Sequence, residues 1–148
     1  MEKQSGRVEA IWLKRMVRGP MDPVSKIELK NNRGIVSNAD QGGKRQVTII
    51  EKEIWDWMMS QLGADLPPHT RRANLMVSRF PLKDSRGKIV QIGEVQIQIM
   101  GETKPCERME QACKGLRDLM YPEWRGGAYG VVLNDGIIGI GDEVSWVE

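Results

Sequence analysis

The stretch Val95-Gln96-Ile97-Gln98-Ile99-Met100-Gly101-Glu102-Thr103-Lys104-Pro105-Cys106-Glu107-Arg108-Met109 decides how the rest of the chain is read. Val95, Ile97 and Ile99 alternate with Gln96 and Gln98, the period of a strand with one buried and one wet face. Gly101 is expected to end that strand. Thr103 or Lys104 can then cap a helix, with Pro105 at its first position, where a missing N–H costs nothing. This predicts Cys106 in the first helical turn between Lys104 and Arg108, where free N–H groups and nearby cations favour an anionic sulfur. Free cysteine is also commonly a small buried hydrophobe, yet Lys104, Glu107 and Arg108 leave little apolar surface around this one. Cys113, seven residues on, would share the helical face at about 10 Å, too far for a disulfide, and reads as a core residue.

Upstream, Lys88 to Ile92 follows the turn Asp84-Ser85-Arg86-Gly87 and reads as a strand. Gly6 to Arg15 and Val24 to Leu29 have strand composition and are separated by the breaker Gly19-Pro20-Met21-Asp22-Pro23. Asn31 to Gly43 is dense in turn formers, a polar loop where ligand contacts are to be sought, and Arg45 to Ile50 reads as a buried strand. Glu51 to Leu62 carries Ile54, Trp55, Met58, Met59 and Leu62 at helical spacing, with Gly63 placed to stop the helix. Pro67-Pro68 interrupts the chain, and Arg71-Arg72-Ala73-Asn74-Leu75 brings two arginines and an asparagine to the mouth of another strand.

Downstream, Leu116 to Tyr121 is helical in pattern. Tyr129 to Leu133 and Gly136 to Ile140 flank Asn134-Asp135, and the Asp-Gly step predicts a hairpin between them. Val144 to Val147 is the last strand. Gly126-Gly127 serves either a close backbone approach to a ligand or a plain turn. The recurrence of short strands and turns predicts a β-rich fold with a few helices, closed or sandwiched, over a single domain spanning residues 1–148.

Two cysteines, a polar start and no apolar run of membrane-spanning length predict a cytoplasmic protein without a membrane partner. The net charge of +2 hides an asymmetry. Residues 1–88 carry 17 basic and 10 acidic side chains, residues 89–148 carry 5 and 10, so the two parts stand at +7 and −5. A basic wall facing an anionic ligand fits this, as does mutual attraction of two solvated faces. No basic-aromatic module is present, which argues against nucleic acid. His69, the sole histidine, sits in a Pro-Pro-His-Thr loop and reads as an exposed loop residue. There is no P-loop, dinucleotide fingerprint, Cys-x-x-Cys pair or His-Glu-x-x-His motif.

Together, Arg45-Gln46-Val47-Thr48, Arg71-Arg72-Ala73-Asn74-Leu75, Lys104-Pro105-Cys106-Glu107-Arg108-Met109, Trp124-Arg125-Gly126-Gly127 and Gly141-Asp142 resemble the MOSC domain, the module at the C-terminus of molybdenum cofactor sulfurases. The family also occurs as small stand-alone bacterial proteins. The resemblance implies a single-domain closed β-barrel with helices on its rim. It implies the molybdenum cofactor (molybdopterin) as ligand, with Cys106 as the catalytic residue that ligates molybdenum or carries a persulfide. Arg72 and Asn74 match positions that hold the anionic pterin-phosphate portion in relatives, and Thr48 lies near a similar hydroxyl position. Arg45, Lys104 and Arg125 join them on charge and motif position. Reduction of N-hydroxylated substrates is implied as in some relatives, and the alternative is a non-catalytic carrier that delivers cofactor or sulfur to a partner enzyme. A sulfur donor such as a cysteine desulfurase, or a redox partner, is implied with it. The Gly-x-x-Gly-Asp-x-His segment of many relatives is here Gly34-Ile35-Val36-Ser37-Asn38-Ala39-Asp40, without the histidine. Pyridoxal phosphate is not expected in this chain.

Overall fold

Alternation between aliphatic and polar side chains gives this chain several strands with one dry face, and such strands are stable only when the dry faces meet. The computed structural model describes residues 5–148. Its strands are β1 (Gly6–Lys14), β2 (Met21–Val24), β3 (Lys26–Lys30), β4 (Gly34–Ile35), β5 (Val47–Glu51), β6 (Leu75–Ser78), β7 (Ile89–Ile92), β8 (Val95–Glu102), β9 (Ala128–Val132), β10 (Gly136–Gly139) and β11 (Glu143–Trp146). The helices are α1 (Lys52–Leu62), α2 (Glu107–Ala112) and α3 (Leu116–Met120).

Seven strands close on themselves in the order β11-β7-β8-β9-β5-β6-β1, because β1 pairs back with β11 through Gly6 opposite Val144. Closure removes the unpaired edges that an open sheet would present. β5 and β6 are the parallel pair, and α1 supplies part of the crossover that parallel neighbours require. Inside the barrel, Val8, Leu75, Val95, Ile97 and Ile99 are fully buried. Gln96 and Gln98 stay half-exposed, as the alternation predicts.

A second apolar cluster lies outside the barrel. Trp55, Met58 and Met59 of α1 pack against Met109 of α2 and Leu116 and Met120 of α3. α1 ends where expected, at Gly63 in the left-handed conformation, whose N–H bonds back to Met59 O and Ser60 O. Cys113, expected in the core, is instead half-buried at the margin of this cluster, because α2 ends at Ala112 and leaves it as the extended C-cap.

Four local expectations are corrected. The strand beginning at Val95 does not stop at Gly101; it continues to Glu102 through a bulge between Ile99 and Gly101. The expected Val24 to Leu29 strand is split at Ser25, β2 lying on β1 and β3 in a separate sheet. The Asn134-Asp135 turn does not join a hairpin. β9 is held in the barrel between β8 and β5, while β10 turns away to pair with β3, Gly136 opposite Leu29. Side chains explain the divergence: Asn134 Oδ1 accepts from Gln96 N at 2.7 Å and Asp135 Oδ1 accepts from Asn31 N at 2.8 Å, so the turn is fastened to other strands. The helix after β8 begins at Glu107, which makes Cys106 its N-cap, in extended conformation, and leaves Pro105 before it.

Candidate functional site

The residues that matter chemically converge where the segment preceding β6 meets the turn after β8. Pro68–Arg71 forms one 3-10 turn, and Arg72 then takes a left-handed conformation with φ 65°. This kink brings two consecutive arginines to the same cleft, of about 170 Å³. Arg45, Thr48, Arg71, Arg72 and Ala73 form one side, and Thr103, Lys104, Cys106 and Gly126 the other. No carboxylate among the described residues lines it.

Arg71 is the pivot. Its Nε donates to Gly126 O at 3.1 Å and its Nη2 to Thr103 O at 3.1 Å, so one guanidinium clamps both loops of the far wall. Burial lowers its pKa to about 10; the Cys106 sulfur opposes that shift and the Arg45 charge adds to it. Arg71 is therefore still cationic at neutral pH. Arg72 donates from Nη2 to Gly19 O at 2.7 Å, which pins the β1–β2 loop to the rim. Burial lowers its pKa as well, with the Arg108 charge acting in the same direction and Asp40 against it. Arg45 lies over the Tyr129 ring, 5.0 Å from its centroid, and donates no side-chain hydrogen bond among the described residues.

The far wall depends on one close approach. Thr103 Oγ1 donates to Gly126 O at 2.5 Å and Thr103 N to Gly127 O at 2.9 Å. A Cβ on Gly126 would stand 2.1 Å from Thr103 O, and one on Gly127 2.2 Å from Ile49 O. The glycine pair thus lets backbone approach backbone. Cys106 tops this wall with an exposed side chain that caps no helical N–H.

Other residues singled out from the sequence stand differently. Asn74 is buried beneath the cleft and does not line it. Its Oδ1 accepts from Thr48 N at 3.1 Å and Thr48 Oγ1 at 3.2 Å, while Nδ2 donates to Trp12 O at 3.3 Å and Asn38 Oδ1 at 3.2 Å. It is the bolt joining β1, β5 and the loop before β5, and it positions Thr48. Lys104 lines the cleft, but its ammonium is held elsewhere, by Tyr121 O at 3.1 Å, Glu102 at 3.2 Å and the Tyr121 ring at 4.0 Å. Arg125 lies outside the cleft lining; it bonds Leu119 O at 2.9 Å and stacks over Trp57 at 4.6 Å, fastening α3 to α1. From the turn-rich loop only its C-terminal flank, Arg45, lines the cleft. His69 is exposed in the 3-10 turn. Arg71 and Thr103 are site residues beyond those expected from the sequence, the Arg71-Arg72 doublet being the visible signal, and Gly126 lines the cleft at the close approach that the glycine pair permits.

Residues 29–145 match the family model described as MOSC domain. The chain belongs to the MOSC domain family. The fold of this MOSC protein is similar to that of the YuaD protein from Bacillus subtilis, with TM-score 0.79 at 17% identity over 95% of this chain and 94% of that one. It is likewise similar to YiiM from Geobacillus stearothermophilus, with TM-score 0.78 at 16% identity over 97% and 75% of the two chains. YiiM from Escherichia coli gives TM-score 0.72 at 16% identity over 96% and 70%. No curated protein matches the chain. The closed β-barrel expected from the resemblance is present, and no helix among the described residues is long and apolar enough to cross a membrane.

Proposed function

We propose that this MOSC protein is a carrier associated with the molybdenum cofactor, in which Cys106 holds a sulfur atom as a persulfide and Arg45, Arg71 and Arg72 receive an anionic partner molecule. One observation carries this reading: the exposed cysteine tops a cleft walled by three guanidinium groups and no carboxylate. A thiolate attacks sulfane sulfur, and its exposure permits access by both donor and acceptor. Guanidinium groups suit the phosphate of a pterin cofactor. The sulfur would come from a donor such as a cysteine desulfurase.

A second reading, in which Cys106 ligates molybdenum, draws support from the same donor set, a soft thiolate beside cations. The residues fit the metal and the anionic end of a molybdenum-pterin. Cys106 would take the metal, and Arg45, Arg71 and Arg72 the phosphate, with Thr48 between them. When bound, that group supplies two-electron chemistry at the metal, used by some relatives to reduce N-hydroxylated substrates with the help of a redox partner. The cleft volume of about 170 Å³ lies below the ~300–1,000 Å³ of pockets that enclose a whole ligand, which favours the carrier over an enclosed catalytic centre.

Native mass spectrometry of protein isolated without oxygen, beside Cys106→Ser, separates the two. The carrier reading expects an adduct of a single sulfur atom that the serine variant lacks. A pterin-sized adduct with stoichiometric molybdenum would replace it with the metal-ligand reading. Absence of both after exposure to a persulfide donor and to the cofactor would end both.

A further inference from the structure

The cleft restricts the donor as well as accommodating the cysteine. At about 170 Å³ it holds roughly six water-sized groups at ~30 Å³ each. Arg71 brings a half-buried cation whose present partners are neutral carbonyls of Gly126, Thr103 and Lys104. Arg45 and Arg72 add two more positive charges, and no acidic side chain among the described residues lines the cleft, although Asp40 offsets part of the Arg72 charge from outside the lining. A guanidinium group is matched by a planar or tetrahedral oxyanion. The charges suit a small oxyanion, and the adjacent thiol gives such an ion something to react with.

We infer that, resting on the carrier reading, Cys106 accepts its sulfur from a small oxyanion bearing a sulfane sulfur, of the thiosulfate class, whose sulfonate end is held by Arg71, Arg72 and Arg45. The Cys106 thiolate attacks the outer sulfur. The new bond joins Sγ to that sulfur, the S–S bond of thiosulfate breaks, and its electron pair leaves with sulfite. A thiolate and a dianion give a persulfide anion and a dianion, so atoms, charge and electrons balance without an added oxidant or reductant. The arginines hold the oxyanion before attack and stabilise sulfite as it departs. Size restricts this route to small donors, while a protein donor would have to present its own sulfur at the open mouth.

The test uses the reduced protein with two donors, thiosulfate and a neutral organic trisulfide, whose central sulfur the thiolate takes as a mixed trisulfide with loss of an alkyl thiolate, and follows release of sulfite or thiol and the mass gained at Cys106. Arg45→Glu is the principal variant, because Arg45 is exposed and donates no internal side-chain hydrogen bond among the described residues. Arg71→Gln is the companion. The wild-type protein should release one sulfite per sulfur gained. Each variant should slow loading from thiosulfate by about ten- to a hundredfold, the worth of a charge-assisted contact, and slow loading from the trisulfide by a clearly smaller factor, so that the ratio of the two rates falls in both variants. Sulfate should compete with thiosulfate and not with the trisulfide. If the trisulfide loads Cys106 and thiosulfate does not, this inference falls while the carrier stands. If neither donor loads it, the carrier falls too. Equal thiosulfate rates in the wild type and Arg45→Glu would overturn the arginine clamp even if Arg71→Gln fails to fold.

Discussion

Two clefts flank the segment from Pro67 to Arg72, and they could hardly differ more. The larger, about 580 Å³, lies between α1 and the loop after it, with Trp55, Met59, Leu66, Pro67 and Pro68 for walls and Asp56 and Asp65 for charge. The smaller holds Cys106 and three arginines in about 170 Å³. Size points to the first and chemistry to the second. In the larger cleft the charge is acidic and in part already paired: Asp56 is bonded to Lys52 at 2.7 Å and Trp55 Nε1 donates to Leu66 O at 3.1 Å, while Asp65 is exposed to solvent. In the smaller one, cations face a thiol with no anion between them. A binding site is a place where polar groups lack partners, and volume alone does not identify one.

The largest expected effect on stability comes from the floor of the cationic cleft. Asn74→Ala would remove four side-chain hydrogen bonds at once and leave Thr48 N and Trp12 O short of a partner in a buried setting, while Asn38 Oδ1 keeps its bond from Lys14 N. Buried unsatisfied groups cost ~1–3 kcal/mol each, with partial relief by relaxation. Denaturant unfolding should therefore show a loss on the order of 2–4 kcal/mol. A variant as stable as the wild type but unable to load Cys106 would mean that Asn74 touches the ligand, and the division into a rigid floor and a reactive rim would be wrong.

The helix that walls the acidic cleft is held by a different device. Glu51 precedes α1 and accepts from Leu82 N at 3.4 Å, and Glu53 accepts from Arg79 N at 2.8 Å, so two carboxylates tie α1 to the loop before β7. Burial pushes the Glu51 carboxyl up to about 7 from 4.5, with the Leu82 hydrogen bond opposing and the Glu53 charge adding. The folded protein thus holds this proton more tightly than the unfolded chain does. Stability is highest below the unfolded value of 4.5 and falls as pH rises from there to about 7, then levels. After discounting for partial exposure, the loss is on the order of 1–3 kcal/mol. Glu51→Gln keeps an acceptor for Leu82 N and should flatten this part of the pH profile in thermal melts between pH 5 and 8. An unchanged slope would show that another group sets it. The cationic cleft, whose floor is fastened by neutral groups, should lose none of its anion affinity in this variant.

How much of this was legible depended on the distance over which each feature is decided. The alternation of Val95, Ile97 and Ile99 gave β8, and the Met and Trp stripe with Gly63 gave α1 nearly to the residue, because these are local patterns. The Asp135-Gly136 step is local too, yet it misled. Which strand pairs with which is settled by Asn134 reaching Glu94 and Gln96, and Asp135 reaching Asn31, contacts no short window contains. The site divides likewise. Cys106, Arg72, Arg45 and Thr48 do line one cleft. Asn74 matched a motif and turned out to be spent on Thr48, Trp12 and Asn38, while Lys104 had the right charge and gives it to Tyr121 and Glu102. Arg71 shared the doublet with Arg72, but only the 3-10 turn and the left-handed Arg72 show that both point the same way.

The smallest effect distinguishes the two clefts most directly. Arg45 and Arg71 repel one another in the free protein, as the effect of the Arg45 charge on Arg71 indicates, so any small anion that fits between them should relieve them and stabilise the fold. Sulfate at about ten times its dissociation constant would add ~1.4 kcal/mol by mass action. At constant ionic strength, so that general screening is unchanged, sulfate should raise the melting temperature of the wild type more than chloride does. Arg45→Gln should shrink that increment and Asp65→Asn, in the acidic cleft, should leave it as it is. Asp65→Asn should also shift stability by no more than ~0.5 kcal/mol, the usual range for a surface change without buried partners. An increment that survives Arg45→Gln and disappears with Asp65→Asn would reverse the assignment, making the larger cleft the anion-responsive one through some rearrangement of α1. An increment absent from the wild type would instead show that the carbonyls of Gly126, Thr103 and Lys104 already satisfy Arg71, leaving Cys106 in a cleft that is cationic but closed to free anions.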